Sequence, residues 1–397
     1  MTFTGFSADL AHPFSPAGSV DPHPAYHRLR ANAPVYHDRF SGFWLITDHA
    51  SCSRVLKDPR FSAELGQRLR DRDSALPASM LTTDPPEHGR LRAAGGRFAG
   101  PQALAAADAG FAADVDRLVG SLPGHGTIEV VTALGEPLAL AALSRLLCVP
   151  EESRPTFLQL ARAVSVNLDP MSGAAAALAG RMAGAELTRW LGAHLDAHLA
   201  RTAAEDTPLA RLAADPQLTR AEVLSLLSLL VVGGFRPLAE FTGNALGVLS
   251  GYPRTLAALA TGADPRPVVD ELLRREPPIP FTARVAREEV ELGGVTLPAG
   301  ARVLAVLSAA GRDPAVFAEP DRLDPERSPN QHLAFGAGPH FCLAAGLVRL
   351  CVGLLLTALP RRFPDLEPAE PGPRWAPGVM PRRLEDFHLR LTDHRTR

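Results

Sequence analysis

Cysteine is scarce in this 397-residue sequence, and the cysteines that are present lie far apart. The four are Cys52, Cys148, Cys342 and Cys351, and no two of them form a C-x-x-C pair. A zinc site or a redox pair built on that spacing is therefore not expected. We expect no disulfide framework either, because the chain is long and shows no signal peptide, whereas such frameworks are typical of short secreted chains.

Excess charge and long apolar runs are missing as well. The formal net charge is −2, and Lys57 is the one lysine among 41 basic residues, which indicates a compositional bias toward arginine. This charge gives no electrostatic basis for binding nucleic acid. The longest apolar stretches fall short of a membrane span. We therefore expect a soluble, cytoplasmic protein without a membrane anchor.

No Ser/Gly-rich linker, charge block or internal repeat divides the chain, so we predict one domain over residues 1–397. The 46% hydrophobic content is enough for a large core. Helical spacing of Ala and Leu predicts helices over 101–118, 174–199 and 221–249. Hairpins are expected over 34–47, with the turn at Ser41-Gly42, and over 290–307, with turns at 293–294 and 298–300. The predicted fold class is mainly α with small β-sheets.

The most informative stretch surrounds Cys342, in the order Phe335-Gly336-Ala337-Gly338-Pro339-His340-Phe341-Cys342, and an apolar helical run follows it. Glycines let backbone amides approach one sulfur closely, and the N-terminus of a helix adds partial positive charge. Both effects favour thiolate over thiol, and a thiolate is a suitable axial ligand for haem iron. The alternative is a buried core cysteine. The spacing F-G-x-G-x-H-x-C favours the ligand.

This stretch resembles the signature of the cytochrome P450 family, the haem-thiolate monooxygenases. Further motifs stand in the order of that family: Glu271-Leu272-Leu273-Arg274, then Arg284, the segment 310–314, Asp324-Pro325-Glu326-Arg327, and upstream Asp84-Pro85-Pro86-Glu87-His88 followed by Arg90 and Arg92. The resemblance extends from about Pro22 to the C-terminus. It implies a single-domain cytochrome P450-like fold of the soluble bacterial type.

The resemblance also implies a cofactor, haem b, and the residues that hold it. Cys342 would be the metal ligand and catalytic thiolate, with Phe335 and Gly336 in its loop. By the same resemblance, the haem propionates would be bound by His88, Arg92, Arg284 and His340. Glu271, Arg274 and Arg327 would form a structural charge network on the cysteine side, and not an acid–base pair.

The long central helix departs from the family pattern. Relatives carry an acid and an alcohol there, which relay protons during oxygen activation. The distal-pocket and substrate-site candidates at these positions are Gly233, Gly234, Phe235, Arg236 and Pro237, so that Arg236 replaces the acid and Pro237 the alcohol. Because proline removes a helical hydrogen bond and clashes with the carbonyl four residues earlier, we expect a kink and no side-chain relay. The arginine could anchor an anionic group of a substrate. Glu240 and Thr242 lie further along the helix and are not expected to replace the relay. A smaller departure is Gly311, where relatives have asparagine.

Two functions follow from this pattern. The first is a haem-thiolate oxidative enzyme with atypical oxygen activation, which acts on a small organic substrate, such as a secondary metabolite. Its reaction would be monooxygenation, oxidative coupling or desaturation, with electrons from an external ferredoxin and reductase, because the chain has no flavin or iron–sulfur motif. The alternative is a catalytically degenerate helper subunit, for example of a sugar transferase. Retention of the thiolate and of the propionate-binding residues argues against this alternative.

Overall fold

The computed structural model describes residues 11–64, 79–168, 174–202 and 206–393. Helices dominate it, as the sequence predicts. The α-helices are α1 Pro16–Val20, α2 His23–Asn32, α3 His49–Lys57, α4 Glu87–Ala99, α5 Pro101–Ser121, α6 Glu136–Leu146, α7 Arg154–Val164, α8 Ala174–Arg201, α9 Pro208–Ala213, α10 Arg220–Leu249, α11 Pro253–Ala260, α12 Pro265–Arg275, α13 Leu307–Ala310 and α14 Ala345–Arg362. A π-helical turn, Val131–Gly135, leads into α6, and short 3₁₀ turns cover Glu151–Ser153, Ser165–Leu168 and Gly338–His340.

The strands form small sheets at the periphery of the helices. They are β1 Val35–Asp38, β2 Phe43–Ile46, β3 Phe61–Ser62, β4 His125–Glu129, β5 Thr282–Ala286, β6 Val290–Leu292, β7 Val295–Leu297, β8 Arg302–Ala305, β9 Glu367–Pro368, β10 Arg374–Trp375, β11 Leu384–Glu385 and β12 His388–Thr392. The largest sheet has the order β1-β2-β8-β5-β3, and a second has the order β4-β12-β9. Mainly α with small β-sheets is thus the observed fold class, whereas a single domain over 1–397 stays a prediction.

The first predicted hairpin is confirmed, and the second is confirmed in part. Strands β1 and β2 pair antiparallel across Ser41-Gly42, and Gly42 has the positive φ of +71° that the turn requires. Strands β6 and β7 pair across Gly293-Gly294. The prediction that the hairpin continues to residue 307 is wrong, because β8 pairs with β2 and β5 instead. The reason is that β8 is an apolar run with three consecutive buried residues, which suits the interior of the larger sheet.

Helix α10 is the central element of the core. It begins with a capping box in which Thr219 and Glu222 satisfy each other's backbone amides, and it continues as one α-helix through Pro237. Within the described residues it is the one helix long and apolar enough to cross a membrane, and 61% of its apolar window is buried inside the protein. Burial of that extent is typical of the core helix of a globular fold. The expected absence of an N-terminal anchor concerns residues 1–10, which lie outside the described residues.

The π-helical turn packs against α10 just after Pro237. A Cβ atom on Gly135 would lie 2.4 Å from the carbonyl oxygen of Ala239, and one on Gly243 would lie 2.9 Å from the side chain of Val131. Glycine is therefore required at both positions for the two backbones to approach this closely. The contact brings Glu136, the first residue of α6, beside the segment of α10 in which the sequence departs from the family pattern that it otherwise resembles.

Candidate haem-thiolate site

The loop that carries Cys342 is held by its own backbone. The amide of Cys342 donates a hydrogen bond of 2.8 Å to the carbonyl of Phe335, which closes the loop around Gly336 and Gly338. Both glycines have left-handed backbones, with φ of +70° and +69°. A Cβ atom on Gly338 would also lie 2.7 Å from the carbonyl oxygen of Leu56 at the end of α3. The loop therefore depends on glycine both for its conformation and for its contact with a neighbouring helix.

The structure corrects the expected position of Cys342 relative to the helix. Helix α14 begins at Ala345, so the cysteine precedes the helix by three residues instead of occupying its start. The amides of Ala344 and Ala345 nevertheless face the sulfur, and together with Arg92 they act to lower the pKa of the thiol. Burial is the larger effect and raises that pKa above its usual value. A coordinated metal cation deprotonates such a thiol outright.

Four basic side chains predicted from the sequence lie close together near this loop. The rings of His88 and His340 are 4.1 Å apart between centroids. Burial, together with Arg284, His88 and Arg92, lowers the pKa of His340 to about 4. The pKa values of His88, Arg92 and Arg284 are also lowered, in each case chiefly by burial. The sequence prediction therefore places these four residues correctly relative to one another, although their role stays a prediction.

The charge balance of this cluster tests whether it fits the propionates of a haem. Arg284 on β5 is buried, and its guanidinium donates hydrogen bonds to the Thr282 hydroxyl at 3.2 Å and the Ala283 carbonyl at 2.7 Å. Among the described residues, Asp84 is the one carboxylate that raises the pKa values of His88, Arg284 and His340. Buried cations are stable when they are paired. Near neutral pH the lowered pKa values leave the two histidines uncharged, so Arg92 and Arg284 carry the charge of the cluster, and Asp84 is already paired with Arg287. Two propionates would supply the missing negative charge, and the imidazoles could donate hydrogen bonds to them.

Asp84 is a site residue that the sequence reasoning did not single out. Its carboxylate accepts hydrogen bonds from the Ser62 hydroxyl, the Ala63 amide at 3.0 Å and Arg287 at 2.5 Å, and it lies 3.8 Å from His340. It thereby connects β3, the start of α4 and the cysteine loop. The sequence signal for Asp84 was its place at the start of the Asp84-Pro85-Pro86 motif, four residues before His88.

The distal-pocket candidates face in different directions. Gly233 is exposed, and a Cβ there would meet nothing closer than the side chain of Leu229 at 4.0 Å, whereas one on Gly234 would touch Leu143 of α6 at 3.4 Å. Phe235 and Pro237 are buried in the core. Gly233 is therefore the candidate that borders open space.

Arg236 is not the free substrate anchor that the sequence suggested. Its guanidinium lies 3.4 Å from the Glu136 carboxylate and 2.5 Å from that of Glu240. The two acids compensate its charge inside the protein. The Thr242 hydroxyl donates a hydrogen bond of 2.9 Å to the carbonyl of Leu238 within the same helix.

The Glu271 network joins segments that are far apart in sequence. Glu271 accepts hydrogen bonds from Arg274 at 2.7 and 2.8 Å, from Arg327 at 3.1 Å and from the amide of Asp324 at 2.9 Å. Arg274 in turn donates to the carbonyl of Gly311 at 2.6 Å. A Cβ on residue 311 would lie 2.3 Å from the Arg274 carbonyl, which gives a physical reason for glycine in place of the asparagine of relatives. The contacts are those of a structural network, as the resemblance implies.

Comparisons with known proteins agree with this geometry. The family model for Cytochrome P450 matches residues 266–374, a range that includes the Glu271 network and Cys342. The chain is 33% identical to the cytochrome P450 monooxygenase PikC of Streptomyces venezuelae, over 94% of this chain and 91% of the relative. It is 35% identical to nocardicin C N-oxygenase of Nocardia uniformis subsp. tsuyamanensis, over 91% and 93%.

Solved structures are similar over nearly the whole chain. The cytochrome P450 enzyme CxnD, described as acting in C–S bond formation in chuangxinmycin biosynthesis, has a TM-score of 0.86 at 29% identity, with 99% of each chain covered. P450BioI in complex with a ligated acyl carrier protein also has a TM-score of 0.86 at 29% identity, with 94% of this chain and 98% of that chain covered. Sequence identity above 30% with curated relatives, together with a shared fold along both chains, shows common descent. The protein is therefore a member of the cytochrome P450 family, the haem-dependent monooxygenases.

Proposed function

We propose that this chain is a haem-thiolate oxidative enzyme that binds haem b through Cys342 and acts on a small secondary metabolite. The observation that carries the proposal is the pairing of two features at one place. The sulfur of Cys342 accepts hydrogen bonds from the amides of Ala344 and Ala345. Beside it lies a cluster of basic residues with one neighbouring carboxylate. A thiolate and two propionates are the anionic parts of a haem site that such a pair would accommodate.

The residues of this chain have separate tasks in the proposed site. Arg92, Arg284, His88 and His340 hold the propionates, and the loop from Phe335 to Cys342 presents the sulfur. When bound, the haem supplies the centre at which dioxygen is activated, and the thiolate favours cleavage of the O–O bond. Gly233 leaves space on the distal side for a substrate. The Glu271 network keeps the segment before the cysteine loop in place.

The reaction outcome is proposed more broadly than hydroxylation. The acid–alcohol pair is replaced by Arg236 and Pro237, so oxygen activation depends on another proton source. Monooxygenation, oxidative coupling and desaturation are all compatible with such a site. Nocardicin C N-oxygenase and the CxnD enzyme of C–S bond formation carry names that indicate varied oxidations in natural-product pathways. These names support a secondary-metabolite substrate for the present chain by similarity.

External proteins would deliver the electrons. No flavin-binding or iron–sulfur motif is recognisable in the sequence, so we propose a ferredoxin and its reductase as partners in the cytoplasm. The similar proteins named above are oxidative enzymes, and they give the helper-subunit hypothesis no support.

Absorption spectroscopy of the purified protein tests the proposal. We expect the reduced carbon monoxide complex to have a thiolate signature, and Cys342→Ser to abolish it. The matched control is Cys148→Ser, because Cys148 is a half-buried free cysteine outside the loop. Loss of the signature in the control as well would point to general misfolding of the variants. A wild-type protein that remains colourless after supplementation with haem would overturn the proposal.

A further inference from the structure

Glu240 is a buried carboxyl group close to the positions where the family relay is missing. It lies seven residues after Gly233 and four after Arg236, so these residues share one face of α10. The Glu240 side chain is 1% exposed, and its Oε1 atom lies 2.5 Å from a guanidinium nitrogen of Arg236. The same oxygen has no hydrogen-bond partner within the described residues, because the ion pair is too poorly aligned to be a hydrogen bond. Burial disfavours the anionic form of this carboxyl group, and Arg236 offsets that cost only in part.

A chain of alternating charges connects this carboxyl group with the surface. Arg236 is 30% exposed and contacts Glu136 as well as Glu240. Glu136 also accepts hydrogen bonds from Arg162, which is 50% exposed on α7. Glu240 and Glu136 are buried, at 1% and 6% exposure, whereas Arg236 and Arg162 are 30% and 50% exposed, so each acid is paired with an arginine that reaches solvent. Polar side chains of this kind can hold water between bulk solvent and an internal group.

The carbonyl of Gly233 adds a polar atom on the same face. Because Pro237 has no amide hydrogen, this carbonyl lacks the donor that an uninterrupted helix would supply four residues later. Gly233 also borders open space. A water molecule that bridges the distal side and the Arg236–Glu240 pair would find an acceptor here.

Contrary to the expectation from sequence, we propose that Glu240 is the proton-transferring residue of the distal side in this enzyme, in place of the absent acid–alcohol pair. The proposal rests on the haem-thiolate function proposed above. In each transfer, the protonated carboxyl group gives its proton to a water molecule beside the carbonyl of Gly233, and the carboxylate that results is stabilised by Arg236. The group regains a proton from solvent along the charged chain, so Glu240 is unchanged after one cycle. The protons are consumed in the reduction of dioxygen, for which the external donors supply the electrons.

The surroundings of Glu240 agree with such a role. Burial raises the pKa of Glu240 to about 7. Arg236 on its own helix and Arg383, just before β11, act to lower this pKa, whereas Glu129 at the end of β4 and Glu136 on α6 raise it. A general acid transfers protons best when its pKa lies near the working pH. Since the carboxyl group carries its proton below this value, proton delivery should weaken as the pH rises through about 7.

Substrate-free turnover tests the proposal without knowledge of the natural substrate. The haem-loaded enzyme is supplied with NADPH, plant ferredoxin and its reductase, and the peroxide formed per NADPH is measured. Reduction of dioxygen to peroxide consumes two protons and two electrons, and reduction to water consumes four of each. We expect the wild-type peroxide fraction to rise as the pH increases through about 7. Glu240→Gln should give a high, pH-independent peroxide fraction and reduce water formation by at least about tenfold. Asp114→Asn is the matched control, because Asp114 is buried and paired with Arg145 and Arg117 rather than with residues of α10, and it should follow the wild type.

An infrared pH titration supplies a readout that does not depend on activity. The full chain, with or without haem, should show the carbonyl band of a buried protonated carboxyl group that titrates near neutral pH and is absent in Glu240→Gln. Absence of such a band from the wild type would overturn the proposal, as would an unchanged peroxide fraction in the variant. If Glu240→Gln does not fold, a wild-type peroxide fraction that is flat around pH 7 is the overturning result. Failure to bind haem would refute the proposed function, while the infrared titration would still decide whether Glu240 holds a proton.

Discussion

Gly336 and Gly338 have almost the same backbone conformation, with φ of +70° and +69°, but their surroundings differ. Nothing lies within 3.5 Å of a Cβ placed on Gly336, and the nearest atom is the His340 carbonyl oxygen at 3.7 Å. A Cβ on Gly338 would lie 2.7 Å from the Leu56 carbonyl and 3.1 Å from Cα of Lys57. At the residue scale, the second glycine of the motif therefore has a steric role in addition to its conformational one. It lets the cysteine loop rest on the end of α3.

This difference predicts the outcome of an alanine substitution. Gly338→Ala adds a backbone clash to the cost of a left-handed alanine, which is about 1–2 kcal/mol. We expect a lower melting temperature and a reduced haem content per chain, measured by thermal unfolding and by haem absorbance. The control is Gly372→Ala, because Gly372 has φ of +82° and a Cβ there meets nothing within 4 Å. Equal losses in the two variants would show that the contact with α3 does not matter.

At the scale of elements, α10 and the π-helical turn before α6 act together. The close approach of Gly135 to Ala239 fixes Glu136 beside Arg236, and this contact decides what the arginine can do. The motif comparison alone suggested an anionic substrate group as the partner of Arg236. The structure provides two internal partners instead. Replacement of Arg236 by glutamate, which would restore the acid of relatives, would place a third carboxylate beside Glu136 and Glu240 and is expected to destabilise the protein.

The proline of α10 should be altered separately from the arginine. Pro237→Thr restores the amide hydrogen that the Gly233 carbonyl lacks and adds the hydroxyl group of the family relay. We expect it to lower the peroxide formed per NADPH with non-native substrates. Binding of the native substrate should weaken, because the shape of α10 beside Gly233 changes. Pro360→Thr is the control, since Pro360 also lies inside a helix, but in α14 instead of α10. A peroxide yield that stays the same in Pro237→Thr would show that the missing hydroxyl does not limit proton delivery.

At the scale of the whole molecule, the Glu271 network connects the core helices with the long irregular segment before the cysteine loop. Arg274 is 1% exposed, and it reaches the carbonyls of Gly311, Pro320 and Arg322 as well as Glu271. These carbonyls belong to a segment with little regular structure, which has few backbone hydrogen bonds of its own to hold it. One buried side chain therefore organises a large part of the cysteine side of the fold.

Removal of this side chain is expected to prevent stable folding or haem incorporation rather than to give a slow enzyme. Arg274→Ala leaves the Glu271 carboxylate with one arginine fewer in a buried site, at a cost of about 3–5 kcal/mol. Soluble yield, haem content and thermal unfolding measure the effect. Arg266→Ala on the same helix is the control, because Arg266 is 77% exposed and pairs with Asp264 at the surface, where such pairs contribute about 1 kcal/mol or less. A soluble Arg274→Ala protein with normal haem content would contradict the structural role.

Features that depend on neighbours in sequence were predictable from the chain alone. The three long helices, the β1–β2 turn at Gly42 and the Glu271–Arg274 pair all follow from spacings of two to four residues. Such spacings act through backbone conformation and through contacts within one helical turn, which hardly depend on the rest of the molecule. The prediction that the basic residues lie near the cysteine loop came from the order of motifs shared with the family, and their roles stay predictions.

Features that depend on contacts between distant segments were decided by the tertiary structure. Strand β8 does not pair within the predicted hairpin, because its buried residues Val303, Leu304 and Ala305 pack between β2 and β5. Arg236 pairs with Glu136, which lies 100 positions earlier in the chain. Glu240 is a buried acid whose pKa is raised by burial, because several elements pack against it. Spacing in sequence carries no information about such partners, because each depends on which surfaces meet when the whole core packs. The sequence alone thus predicted the fold class and a candidate haem-thiolate site, whereas the charges around α10 emerged only from the packed fold.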